Sequence, residues 1–243
     1  MAQNIYDDPD FFAGYATLAR SEKGLDGAPE WPTIQSLLPE VKGKRVVDLG
    51  CGYGWFCRWA AEAGAADVLG LDVSEKMLAK ARTDNAHAAI RYARADLDAL
   101  ELPEGRFDLA YSSLTLHYLE RLPAMLATVH RALAPGGWLV YSAEHPIFMA
   151  PHQPGYATLD DGREVWPLDD YLVEGPRKTN WFAEGVVKQH RTLGTQVNML
   201  IAAGFEIAHL EEWCPSDAQV AEVPAWARER HRPMIYIMKA RRR

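Results

Sequence analysis

A chain of 243 residues with a formal net charge of −7 can bury one full core, and its surface offers no basic footprint for a phosphate backbone, so nucleic acid is not an expected partner. Its three cysteines, Cys51, Cys57 and Cys214, form no CxxC pair, which argues against a disulfide framework or a zinc site; no metal is expected. The first fifteen residues lack a basic stretch followed by an apolar one, and no apolar run reaches the length of a membrane span, so the expectation is a soluble, cytoplasmic protein with no membrane partner.

Residues 1–40 read as a separate amino-terminal element. Phe11, Phe12, Tyr15 and Leu18 fit one face of a helix, and 28–38 fits another. From residue 45 onward, apolar stretches at 45–49, 68–72, 107–112 and 137–143, with a weaker one at 89–94, alternate with helical periodicity. That alternation is the signature of βαβ units and a parallel sheet. Trp55, Phe56, Trp59, Ala60 and Ala63 recur at helical spacing, Ser74 is placed to cap a helix over 75–82, and 123–133 reads as a further amphipathic helix stopped by Ala134-Pro135-Gly136-Gly137. Residues 144–190 break the pattern and read as an insertion, rich in aromatics, Pro and Gly, with a short hairpin near 164–190. The α/β pattern resumes with a helix at 195–203, a strand at 205–213 and a last strand at 234–239. The basic end, Lys239 to Arg243, reads as a solvated tail.

The segment VVDLGCGYGWF at 46–56 passes from a buried strand into Gly50, Gly52 and Gly54, a turn stripped of side chains so that something can approach its backbone. A dinucleotide fingerprint would need glycine at 55, where Trp stands. The pattern is instead D-x-G-x-G-x-G, beginning at Asp48. With Asp72 ending the second strand, Asp96 after the third, Ser112-Ser113 ending the fourth and a P-G-G turn before the fifth, it resembles the class I S-adenosylmethionine (SAM) dependent methyltransferases, similar to the small-molecule, quinone-biosynthesis group.

The resemblance implies an α/β fold: a Rossmann-like seven-stranded, mostly parallel sheet with helices on both faces, and an insertion after the fifth strand. It also implies SAM as cofactor. Asp48, Gly50, Cys51 and Gly52 would form the loop beneath the cofactor, and Asp72 and Val73 would meet its ribose. Met77, Asp96 and the Leu97 backbone would meet the adenine, and Ser112 and Ser113 would border the methionine part. Residues 41–143 and 191–243 would form the SAM-binding domain. Residues 144–190 would cover the substrate, and 1–40 would act as a lid that brings Tyr15 and Arg20 near the cofactor.

The implied reaction is methyl transfer to a small molecule, for which the insertion's aromatics suggest an apolar or aromatic acceptor with Lys188 or Arg177 as polar anchors. Histidine is the side chain tuned to accept a proton near neutrality, and His117 and His145, after the fourth and fifth strands, are the candidate bases. The motifs fit equally a SAM-binding sensor or partner subunit that has lost transfer. The insertion leaves room for a homodimer.

Overall fold

The computed structural model describes residues 3–243. Near the amino terminus lie a short turn, Ile5–Asp7, and helices α1 (Pro9–Ala16), α2 (Ala19–Glu22) and α3 (Trp31–Leu37). Then follow β1 (Arg45–Leu49), α4 (Trp55–Glu62), β2 (Asp67–Asp72), α5 (Glu75–Asp84), β3 (Ile90–Arg94), β4 (Phe107–Ser113), α6 (Leu122–Ala132) and β5 (Leu133–Glu144). After β5 the chain leaves the sheet through α7 (Pro146–Met149), a two-stranded ribbon of β6 (Ala157–Thr158) and β7 (Glu164–Val165), and a hairpin of β8 (Gly175–Trp181) and β9 (Ala183–His190). It returns through α8 (Leu193–Ala202), β10 (Phe205–Glu212), α9 (Asp217–Glu222) and β11 (Ile235–Arg242).

The main sheet has seven strands in the order β10-β11-β5-β4-β1-β2-β3, and β11 alone runs antiparallel to its neighbours. This is the expected Rossmann-like α/β fold. Because successive strand side chains face opposite ways, the sheet feeds two cores. On one face Val47, Leu49 and Leu139 pack with Leu126 and Val129 of α6 and Leu200 of α8; on the other Val46, Leu109 and Val140 pack with Ile34 of α3, Phe56 and Ala60 of α4 and Leu78 of α5. Chain order reverses between β1 and β4, and the crevice at their carboxyl ends is where such sheets bind ligands.

Most expected boundaries fall within two or three residues of the observed ones, and Ser74 caps α5 by accepting the Met77 N–H. Two differences have physical causes. The Pro-Gly-Gly segment lies inside β5, where the register with β4 jumps from Phe107–Leu133 to Leu109–Trp138 and 134–137 loop out as a bulge turned by Gly136 at φ 80°. The basic end is no free tail: Ala240 is fully buried, Lys239 and Arg241 lie over the Trp138 ring at 4.5 and 5.3 Å, and Arg242 donates to the Arg131 carbonyl. The strand runs on to Arg242, and its last four residues, Lys239 to Arg242, have the composition of a tail.

Arg232 is one of the cations that fasten the excursion after β5. Arg232, just before β11, is buried with its guanidinium over Trp166, Phe148 and Tyr156 at 4.5, 4.8 and 5.4 Å, and pairs with Glu229 at 2.6 Å. Replacing Arg232 with Ala is expected to lower stability by about 1–3 kcal/mol, since it removes three desolvated cation–π contacts together with packing. Urea titration reads the loss, and limited proteolysis should show new cleavage between residues 150 and 174.

Candidate functional site

A cavity of about 540 Å³ opens at the carboxyl ends of β1, β2, β4 and β5, roofed by the amino-terminal helices and the β8–β9 hairpin. The volume lies within the range of small-molecule sites, about 300–1,000 Å³. Of the sequence-derived candidates, Tyr15, Arg20, Asp48, Gly50, Cys51, Gly52, Asp72, Val73, Met77, Leu97, Ser113 and His117 line it.

The three glycines after β1 are bare for different reasons. All have positive φ, at 79°, 53° and 79°. A Cβ at Gly50 would fall 2.3 Å from the Thr115 hydroxyl, and one at Gly54 would fall 2.3 Å from the Tyr92 hydroxyl, so the protein itself occupies both spaces. A Cβ at Gly52 would meet nothing within 4 Å. Gly52 also lines the cavity, and its N–H donates to Asp72 Oδ2 at 2.8 Å, while the Gly50 and Cys51 N–H groups both donate to the Leu71 carbonyl at 2.8 Å. The end of β2 thus holds the loop in place. The open space at Gly52 beside the buried Asp72 carboxylate is a cradle a side chain would fill, and it suits a nucleoside's hydroxyl groups.

Two carboxylates sit in this half of the cavity. Burial raises Asp72, although the Ser74 and Gly52 N–H groups donate to it and oppose the shift. Burial also raises Asp48, to about 7, and the Cys57 thiol donates to it at 3.3 Å. On the roof, Arg20 is held by Glu30 through two hydrogen bonds at 3.0 and 3.3 Å, and Glu30 is itself almost fully buried.

Three candidates do not reach the cavity wall. Ser112 is fully buried, and its hydroxyl donates to the Leu49 carbonyl at 2.6 Å, tying β4 to β1. The Asp96 carboxylate accepts the Asp98 N–H at 3.0 Å and caps the turn Leu97–Ala99. His145 is buried with both ring nitrogens engaged, Nε2 on Glu212 at 2.9 Å and Nδ1 accepting the Ile147 N–H at 3.1 Å, so it caps α7. Arg177 is likewise spent on the carbonyls of Ala150, Asp170 and Val173, whereas Lys188 lines the cavity.

The far end of the cavity holds residues that sequence reasoning missed. Tyr6, Tyr118 and Glu144 line it together with Trp181, Phe148, His117 and Lys188, while Thr115, against Gly50, and its neighbour Leu114 line the cavity on the loop side. Glu144 pairs with Lys188, both nearly buried, and the Lys188 ammonium lies 5.3 Å from the Trp181 ring centre. Strand periodicity was the available signal for Glu144: neighbours on a strand face opposite ways, so Glu144 and His145 cannot both point inward.

Over the site, Asp7 accepts hydrogen bonds from the Ser74 hydroxyl and the Lys76 N–H, seating the amino-terminal turn on the start of α5. The Gln3 side chain bonds the hairpin at Gly185 and Val187, and a Cβ on Gly14 would lie 2.6 Å from the Phe182 ring. The roof is therefore closed by contact between α1 and the hairpin tip.

Residues 47–141 match the model of a methyltransferase domain. The crystal structure of an S-adenosylmethionine dependent methyltransferase from Mesorhizobium loti is 61% identical, with a TM-score of 0.88, over 90% of this chain and 100% of that one. An uncharacterized protein of Haemophilus influenzae is 38% identical over 98% of this chain and 97% of its own length. A malonyl-[acyl-carrier protein] O-methyltransferase of Pectobacterium atrosepticum is 38% identical over 61% of this chain and 52% of its own length. Among the described residues, no helix is long and apolar enough to cross a membrane.

The raised Asp48 carboxyl predicts a pH dependence of stability. A group whose pKa is higher folded than unfolded supports the fold fully below the unfolded value, and that support is lost as pH rises through the folded one. For Asp48 the window runs from about 4 to about 7, with a loss on the order of a few kcal/mol. Asp48→Asn is therefore expected to be more stable than the parent at pH 8 and close to it at pH 4, measured by urea unfolding across that range.

Proposed function

This chain belongs to the SAM-dependent methyltransferases, and on that premise we propose that it methylates a small, largely apolar or aromatic acceptor held in the roofed end of the cavity. When bound, SAM supplies an activated methyl group on its sulfonium, open to in-line displacement. The chain's own task is to hold, align and desolvate the two reactants.

The observation that carries the reading is the single open Cβ position at Gly52 beside buried Asp72, on a cavity whose other end is walled by Tyr6, Tyr118, Phe148 and Trp181. In this proposal Asp72 and Val73 take the ribose, and Met77 and the Leu97 backbone take the adenine. Asp48, with Gly52, Ser113, Tyr15 and Arg20, surrounds the methionine end. The amino-terminal segment and the β8–β9 hairpin act as a lid that excludes water. The aromatic wall supports an apolar acceptor body, and oxygen as acceptor atom is supported by the name of the Pectobacterium relative.

Calorimetry tests the cofactor site, and a panel of apolar and aromatic acceptors with methyl-labelled SAM tests the transfer. Heat is expected with SAM and with S-adenosylhomocysteine, and none with NAD. Affinity for SAM should rise as pH passes from about 6 to about 8, as Asp48 loses its proton, and Asp48→Asn should bind weakly at both ends. Silence with both SAM and its demethylated product would refute the reading, as would label confined to polar acceptors.

A further inference from the structure

The acceptor end of the cavity raises the question of who takes a proton, and each ionisable side chain there can be followed to an answer. His117 lines the cavity, and its Nδ1 accepts the Glu144 backbone N–H at 3.4 Å. A neutral imidazole with Nδ1 as acceptor carries its proton on Nε2. Among the described residues Nε2 has no hydrogen-bond partner, and it is not sealed in the interior, so this N–H is the group turned to the cavity. Burial lowers the His117 pKa to about 4, and Lys188 adds to this while Glu144 opposes it, so the ring stays neutral at physiological pH and is a weak base.

The carboxylates lining this end of the cavity leave one oxygen without a partner, Glu144 Oε2. Glu144 gives Oε1 to Lys188, and its Oε2 is buried out of reach of solvent. Glu30 spends both oxygens on Arg20, and Asp48 and Asp72 belong to the glycine-loop half. Donors, by contrast, are plentiful. Lys188 has two N–H groups beyond the one given to Glu144. Tyr6 donates its hydroxyl to Tyr118 at 3.4 Å, leaving the Tyr118 proton free, and burial holds that phenol protonated. One wall of the cavity thus offers an ammonium, an imidazole N–H and a phenol O–H, while the one unpartnered carboxylate oxygen beside them, Glu144 Oε2, is closed off from the cavity's solvent.

We infer that the acceptor presents an oxygen that is already deprotonated, a carboxylate on an apolar body, held by Lys188, Tyr118 and the His117 Nε2–H, and that His117 is a hydrogen-bond donor and not a base. This deepens the methyltransferase reading and rests on it. The balance of the step fits this wall of donors. A carboxylate lone pair forms the new O–CH₃ bond, the electrons of the S–CH₃ bond remain on sulfur, the acceptor leaves as a neutral methyl ester, and no proton has to be removed. Product neutrality also removes its attraction to Lys188, which favours release.

Two measurements test the inference separately from the cofactor reading. Long-range ¹⁵N NMR of His117 in the SAM-free protein is expected to show a neutral ring protonated on Nε2 from about pH 5.5 to about pH 8; a proton on Nδ1, or a titration within that range, overturns the donor role. With SAM binding verified by calorimetry, aryl- and alkyl-carboxylic acids and their matched phenols and amines are offered with methyl-labelled SAM. Label is expected in the acids as an ester that releases volatile methanol in mild alkali. Alkali-stable label in the phenols or amines, or no labelled acid from an enzyme that binds SAM, overturns the substrate class. His117→Gln, which keeps an N–H donor, should retain kcat/KM within about threefold, and His117→Ala should lose about tenfold or more with an unchanged pH profile. Lys188→Gln should raise KM for the acid about tenfold and leave SAM affinity intact. If His117→Gln is as inactive as His117→Ala while SAM binding survives, the ring acts as more than a donor and the inference fails.

Discussion

One hydrogen bond organises the cofactor half of the molecule: the Gly52 N–H on the Asp72 carboxylate. It joins the loop after β1 to the end of β2, and the two N–H groups given to the Leu71 carbonyl keep that loop from straightening. Held this way, the loop must run through three positive-φ positions, which restricts them to glycine or to residues that bear the strain. Asp72 also accepts the Ser74 N–H, so the same carboxylate sets the entry to α5 and thereby the seat on which the amino-terminal turn rests through Asp7. Strand end, glycine loop, helix start and roof are thus links of one chain of contacts. The cost is a carboxyl group out of water, visible in the upward shift of Asp72 and, with fewer donors, of Asp48.

The two halves of the cavity differ in character because different parts of the fold make them. The sheet and its first two helices build the loop half, from strand ends that hydrogen bonding fixes rigidly. The roofed half is built largely from side chains carried by segments far apart in the chain: Tyr6, Tyr118, Glu144, Trp181 and Lys188. A rigid cradle with a roof assembled around it can keep one cofactor while the roof's side chains set the acceptor.

The sheet, its helices and the loop half were legible because their signals are local: period-two and helical patterns, a proline-glycine stop, and an acid at a strand end. The misses share a physical pattern. Ser112, Asp96 and His145 each stand next to a residue that does line the cavity, namely Ser113, Leu97 and Glu144. Each lies at the expected place in the fold with its side chain engaged away from the cavity wall, because composition identifies a strand end whereas the side on which a residue projects depends on register, bulges and caps such as the one Asp96 makes. The β5 bulge at 134–137 is such a shift, and nothing local reveals its size. Arg177, chosen by charge alone, is consumed by three carbonyls of its own segment. The roofed half stayed hidden because its contacts span most of the chain.

That span matters during synthesis. Gln3 and Phe11 have partners at residues 181–187, whereas Asp7 docks on Ser74 and Lys76, so the amino-terminal segment has a seat on α5 well before the hairpin that completes the roof is made. Until the hairpin follows, Phe11 lacks its contact with Trp181, while Phe12 and Tyr15 can already pack on Tyr53. The roof over the cavity is therefore among the last parts of the described fold to close.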